Sequence, residues 1–209
     1  MRLGIVMLAL TALLLVAGCG NPAANKSRAV TGEAAPTTSP QAAGGQKYSI
    51  TSQNSKIDFI GSQVAGSHSG SFQKFSGEID YTGNPETSRV SVDIDTASLN
   101  ADDPKLTEHL KTPDFFDVAK YPKATFVSTA IRPGGEKGAS HTVTGNLTLH
   151  GVTKSVTFPA TIGATADAIN VDANFAINRK DFGINYAGPT NNLIRDDVVL
   201  TLKIHATKG

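Results

Sequence analysis

The chain has 209 residues, 39% hydrophobic and 18% charged, enough to bury one core of ordinary domain size with appendages. Lys and Arg number 19 against 18 Asp and Glu, and that near-balance excludes the clustered cationic surface that nucleic-acid phosphates demand. A single cysteine excludes a disulfide framework within the chain.

The first eighteen residues, MRLGIVMLALTALLLVAG, carry one charge at Arg2, then an apolar run too short to stay in a bilayer, then small residues. Residues 1–18 thus read as a secretory signal. Val16-Ala17-Gly18-Cys19 resembles the lipobox of bacterial lipoproteins, in which cleavage leaves the cysteine first and a diacylglycerol is placed on its thiol. Cys19 is the sole cysteine. A lone exposed thiol is a liability in an oxidising compartment, whereas an acylated one is an anchor. The alternative is an ordinary signal peptide cut nearby. Lipidation predicts an exported protein held at the cell envelope. By resemblance to Gram-negative sorting, Gly20 in place of Asp after the cysteine implies the periplasmic face of the outer membrane. Loss of the leader takes Arg2 away, so the mature chain is formally neutral.

Residues 19–46 are predicted to form a tether behind the lipidated cysteine. They are rich in Ala, Pro, Thr, Ser and Gly and contain no aromatic residue, a composition too poor in packing groups to offset the entropy of ordering. A flexible tether of this length reaches roughly 30 Å.

From Lys47 to the end, residues 47–209, the period is two. In SHTVTGNLTL the residues Val143, Leu147 and Leu149 share a face; in TKSVTFPATI it is Val156, Phe158 and Ile162. Ile169, Val171, Phe175 and Ile177 repeat the pattern, as do Val198, Leu200, Leu202 and Ile204. These are half-buried antiparallel strands. Less regular runs at YSITSQ, KIDFIGS, FSGEIDY, SRVSVDID and ATFVSTAI bring the count to about nine. Turn signals at Gln53-Asn54, Gly83-Asn84-Pro85, Pro133-Gly134-Gly135, His150-Gly151 and Gly163 separate them. Phe72 and Phe75 have opposite parity on one strand, which predicts a bulge or bend at Gln73-Lys74. With no βαβ spacing, the fold class is all-β, an antiparallel barrel or sandwich; closure into a barrel is preferred because it removes exposed edges.

HLKTPDFFDVAKYPKATF, residues 109–126, breaks the period. Asp103-Pro104 supplies an N-cap and a first-turn proline, and the helix is predicted to stop before Pro113, with Leu106 and Leu110 on its inner face. A helix that interrupts barrel strands belongs over an end of the barrel or outside it.

Four ordered segments, FQKFSGEID, HLKTPDFFDVAKYPKATF, VTGNLTLHGVTKSVTFPA and FAINRKDFGINY, resemble the YceI-like family of bacterial exported proteins, from about Tyr48 to the end. The resemblance implies an elongated, lipocalin-like antiparallel β-barrel of about eight strands with one short helix, around an apolar bore that holds a polyisoprenoid. It implies a lipid or quinone binder rather than an enzyme, with a bound isoprenoid lipid or quinone and no other cofactor. Many members carry an Arg-Asp pair before the His-Leu of the helix motif, where this chain has Leu106-Thr107 ahead of Glu108-His109-Leu110.

An eight-strand barrel either fills with side chains or holds one slender ligand. The residues expected to form bore and gate are Leu110, Phe115, Phe116, Phe126, Phe158, Phe175 and Phe182. His109, Lys111 and Arg179 are the candidates for head-group contacts. His109 to Phe116 is expected to act as an apolar stopper, although Phe115 and Phe116 also fit plain end-cap packing. Two other functions remain open: a protein-interaction module with a filled barrel that meets an envelope partner, and an isoprenoid-modifying enzyme.

Catalytic constellations are missing from the pattern. GSHSG, residues 66–70, puts His68 where a hydrolase elbow needs Ser, and reads better as a hairpin loop. The five histidines show no metal spacing, and His141 and His150 differ in parity. Asp93 and Asp95 share a face opposite Val90, Val92 and Ile94, which predicts a solvated pair.

Overall fold

The structure is a computed structural model that describes residues 20–36 and 44–209. The predicted signal segment and Cys19 lie outside the described residues. In chain order the strands are β1 (Ser27–Arg28), β2 (Val30–Glu33), β3 (Gln46–Thr51), β4 (Lys56–Gln63), β5 (Gly66–Phe72), β6 (Phe75–Tyr81), β7 (Arg89–Asp95) and β8 (Leu99–Ala101). Helix α1 (Pro104–Leu110) follows, then β9 (Lys123–Pro133), β10 (His141–Leu149), β11 (Val152–Ala164), β12 (Ala168–Asn178) and β13 (Asp197–Lys208).

One antiparallel ladder runs β12-β11-β10-β9-β7-β6-β3-β13, and β13 returns to β12, which closes the barrel. β3 and β4 are two halves of one long strand along β13. β5 and β6 form the next, β7 and β8 the third, so the wall is an eight-stranded meander. Closure leaves no free edge along the main ladder.

Local chemistry explains the bends. Phe72 and Phe75 are both buried, and Gln73-Lys74 between them leaves the ladder, as their opposite parity predicts. His150 and Gly151 both have positive φ, 51° and 74°, the two-residue hairpin turn whose twist matches its strands. Two expected turns are corrected. GSHSG is the first part of β5, not a loop, and the chain turns at Val64-Ala65 instead. Gly70 serves a close approach there, since a Cβ would lie 2.3 Å from the Phe59 ring. Gly163 stays within β11, which turns only after Ala164.

The predicted tether differs where it is described, and residues 37–43 of it lie outside the described residues. Between Ser27 and Glu33 the chain is stitched into the wall. β11 and β12 pair only where Thr161–Ala164 meets Ile169–Asp172. Beyond that they splay, and residues 27–33 fill the seam. β1 runs parallel to β12, with Ser27 opposite Phe175, and β2 runs antiparallel to β11, with Thr31 opposite Val156. The segment succeeds because it is small and alternating: Ser27 and Ala29 are buried, while Arg28 and Val30 point outward. It also satisfies backbone groups that an open seam would leave unpaired. Asn146 fixes its far end, accepting from the Ala35 N–H at 3.0 Å and donating to the Ala35 carbonyl at 2.7 Å.

A second interruption lies between β8 and β9, which do not pair. Residues 102–122 occupy it. Asp103 caps α1 by accepting from the Leu106 N–H at 2.8 Å, and Pro104 takes the first turn. Thr96 ties the far end of this excursion to the wall, its hydroxyl donating to the Tyr121 carbonyl at 2.7 Å.

Candidate functional site

Inward side chains of the meander do not meet across the middle. They leave a bore with a cavity volume of about 160 Å3. Every side chain that lines it is apolar. The faces assigned by alternation point where expected: Val143, Leu147 and Leu149 line the bore, as do Val156, Phe158 and Ile162, and Leu200, Leu202 and Ile204. Val90, Val92 and Ile94 also face in, and Asp93 faces solvent.

The bore runs from Phe59, Phe72 and Phe116 near the plug to Val171, Ile162 and Ile204 near the opposite loops. Phe158 and Phe175 stack in its wall with centroids 4.2 Å apart and planes within 10°. Phe126 tilts against Phe158 at 5.8 Å. Phe116 closes the plug end, edge-on to Phe72 at 5.7 Å and tilted to Phe59 at 6.4 Å.

Of the seven residues expected to line the bore, Phe116, Phe126, Phe158 and Phe175 do so. Leu110, Phe115 and Phe182 are buried in packing beside it. Phe115 points away from the bore into an aromatic cluster, 5.1 Å from His109 and 5.2 Å from Tyr186. The reason is local. Residues 111–118 form tight turns closed by Phe116 N–H to Leu110 O and Asp117 N–H to Thr112 O, so adjacent phenylalanines face opposite ways. Phe182 is fully buried in a short turn, Arg179–Phe182, after β12.

Each of the polar candidates has a protein partner. His109 Nε2 lies 2.8 Å from Asp114 Oδ2, and Lys111 Nζ donates to Glu108 at 3.0 Å. Arg179 is a correction: it is 4% exposed, not a free cation at the rim. Its guanidinium donates to the carbonyls of Ile184 at 2.6 Å and Arg195 at 3.1 Å, which pins the β12–β13 connection. Burial pushes its pKa down, and Asp196 at 3.6 Å pushes back. From sequence its charge fits a head-group contact, but here the surrounding loop carbonyls take its donors.

His68, Ser69 and Asp102 do come together. The Asp102 carboxylate accepts from the Ser69 N–H at 2.8 Å and the Ser69 hydroxyl at 3.2 Å, and contacts His68 Nδ1 at 2.9 Å. The Ser69 backbone bond first, then His68, hold its carboxyl below the usual carboxylate range. Both partners are spent on one carboxylate, so Ser69 is not poised as a nucleophile toward His68. Among the described residues no group of three His, Cys, Asp or Glu is placed to hold a metal.

Parity missed part of the wall. Phe59 on β4 is an inward residue on a run whose alternation is interrupted by Gly61 and Ser62, and Tyr186, which backs the plug, lies in an irregular loop. Only the spacing of Ile57 and Phe59 signalled the former.

Known proteins share this geometry. A UPF0312 protein of Pseudomonas putida strain W619 is 42% identical over 136 residues, 62% of this chain and 70% of that one. The crystal structure of Burkholderia cenocepacia BcnA superposes with a TM-score of 0.67 at 28% identity, covering 76% of this chain and 99% of BcnA. A polyisoprenoid binding domain from Saccharophagus degradans shares the fold, with a TM-score of 0.62 at 19% identity over 78% of this chain and 98% of that domain. The YceI-like domain family matches residues 48–206, the whole of the barrel, and the chain belongs to that family.

Proposed function

We propose that the barrel binds one slender apolar lipid, a polyisoprenoid or an isoprenoid quinone, and carries or sequesters it at the cell envelope, anchored through an acylated Cys19. The observation that carries this reading is the bore: a continuous cavity walled by apolar side chains alone. The polyisoprenoid binding named for the Saccharophagus domain supports the same ligand class. A linear, methyl-branched tail suits a narrow channel between Phe116 and Ile204. A filled barrel acting only as an interaction module fits less well, because facing side chains leave the axis open. Catalysis finds little support, since among the described residues no titratable side chain lines the bore.

Energetics limit what the bore does. Burying a methylene is worth about 0.8 kcal/mol relative to water, but a membrane lipid's tail is already in hydrocarbon. Transfer from bilayer to bore is therefore close to neutral, which suits a carrier that must also release. Selection then falls to tail shape and to how the plug yields.

The test is native mass spectrometry of the protein purified from its own host, followed by organic extraction. A prenyl species at close to one per chain is the expected result. An empty barrel, or a mixture of acyl lipids in no fixed ratio, would overturn the reading.

A further inference from the structure

The stitched N-terminal segment turns the lipobox into a geometric constraint. Ala23 is buried at 8% exposure against Ala176, Val199 and Ile60, and Asn21 borders a shallow cleft with Ala187 and Leu193. Cys19 is four steps along the chain from Ala23. An extended chain advances at most about 3.3–3.6 Å per residue, so Cys19 lies within about 14 Å of Ala23. The leash is short, and it leaves from one end of the barrel.

That end is the plug end. Ala176, Val199 and Ile60 adjoin the β12–β13 connection and the β4–β5 turn, and Tyr186 of that connection packs on Phe115. Two exposed large hydrophobic residues stand at its tip, Val64 at 58% and Leu193 at 49% exposure. They belong to separate loops held together by the Val64 N–H donating to the Leu193 carbonyl at 3.2 Å. Two neighbouring cations are paired, Arg28 with Asp197 and Lys180 with Asp196, while Arg195 beside them makes no ion pair among the described residues.

We propose that this tip is a bilayer-contacting surface: Val64 and Leu193 insert at the membrane interface, so that the plugged mouth of the bore faces the lipid. The proposal rests on the acylation of Cys19 stated above but not on the identity of the ligand. Amphipathic contact beside an acyl anchor supplies a second membrane signal, and it places Phe116 between bilayer and bore.

The chain contains no tryptophan, so single Trp variants report position without background. Leu193→Trp, Val64→Trp and, at the opposite end in the exposed β11–β12 turn, Ala166→Trp are made in the full acylated chain. Each is reconstituted into phosphatidylcholine vesicles containing brominated phosphatidylcholine. Leu193→Trp and Val64→Trp are expected to lose more than half their emission and shift to the blue, in 0.1 M and 1 M salt alike, while Ala166→Trp is unquenched. Vesicle binding with equal quenching at both ends, or stronger quenching at Ala166→Trp, overturns the orientation alone. Vesicle binding that Cys19→Ser leaves unchanged, or no binding by the native chain, overturns the anchor and the orientation together.

Discussion

The Ala29 N–H donates to the Ala176 carbonyl at 2.8 Å, and this bond joins the N-terminal segment to the barrel where β11 and β12 have parted. Ala29 itself is buried among the side chains of the wall, in one cluster with Val156, Phe158 and Phe175. The segment is therefore part of the wall and not merely a leash.

Ala29→Pro removes that donor and is predicted to loosen the seam. Proline has no N–H, and a buried carbonyl left unpaired costs about 1–3 kcal/mol. Amide hydrogen exchange should accelerate at Lys154–Thr157, which pair with β2, while exchange in β6 and β7 stays slow. Unchanged protection at β11 would mean that the seam is closed without residues 27–33.

Arg179 fixes the connection that backs the plug. Arg179→Met keeps the length of the side chain but deletes its donors to Ile184 and Arg195, and should cost about 3 kcal/mol in chemical denaturation. Arg179→Lys should recover only part of this, because one ammonium cannot reproduce the fork of a guanidinium. Equal stability for Lys and Arg would assign the site a charge requirement instead of a geometric one.

Asp102 predicts an acid limb. Its folded pKa is depressed, so its contribution is fully present above the unfolded value of about 3.9 and is lost as pH falls through the lower folded value. The group is half exposed, its side chain 42% accessible, so the effect is under about 1 kcal/mol. Thermal melts between pH 6 and pH 2 should show the wild type losing slightly more stability than Asp102→Asn. Parallel curves would remove Asp102 from the acid response.

Strand faces were legible because alternation is a direct record of which side meets water: Val143 to Leu149 and Leu200 to Ile204 follow it without interruption. The N-terminal strand was not. Ser27, Ala29 and Thr31 alternate with Arg28 and Val30 in the same way, but such small side chains carry little hydrophobic signal, and the seam that needs small residues exists only once β11 and β12 are placed. Arg179 was misread for a related reason, since a charge in a turn pairs with solvent unless tertiary carbonyls surround it. Tight turns likewise hide which of two adjacent aromatics faces in.

Phe115 and Phe116 separate the stopper from its support. Phe115 is buried at 7% exposure between His109 and Tyr186, so Phe115→Ala should cost about 3–5 kcal/mol. Its effect on lipid exchange should follow only from that loss. Phe116 already has the bore on one side, so Phe116→Ala forfeits fewer contacts, about 1–2 kcal/mol, yet removes the ring that packs against both Phe59 and Phe72 at the mouth. Transfer of a fluorescent prenyl lipid from donor vesicles should then become faster for Phe116→Ala at temperatures where both variants remain folded. Phe116→Leu, which refills the space, should return the rate toward wild type. If Phe115→Ala accelerates transfer as much as Phe116→Ala does, the plug yields as a unit and Phe116 holds no special place in it.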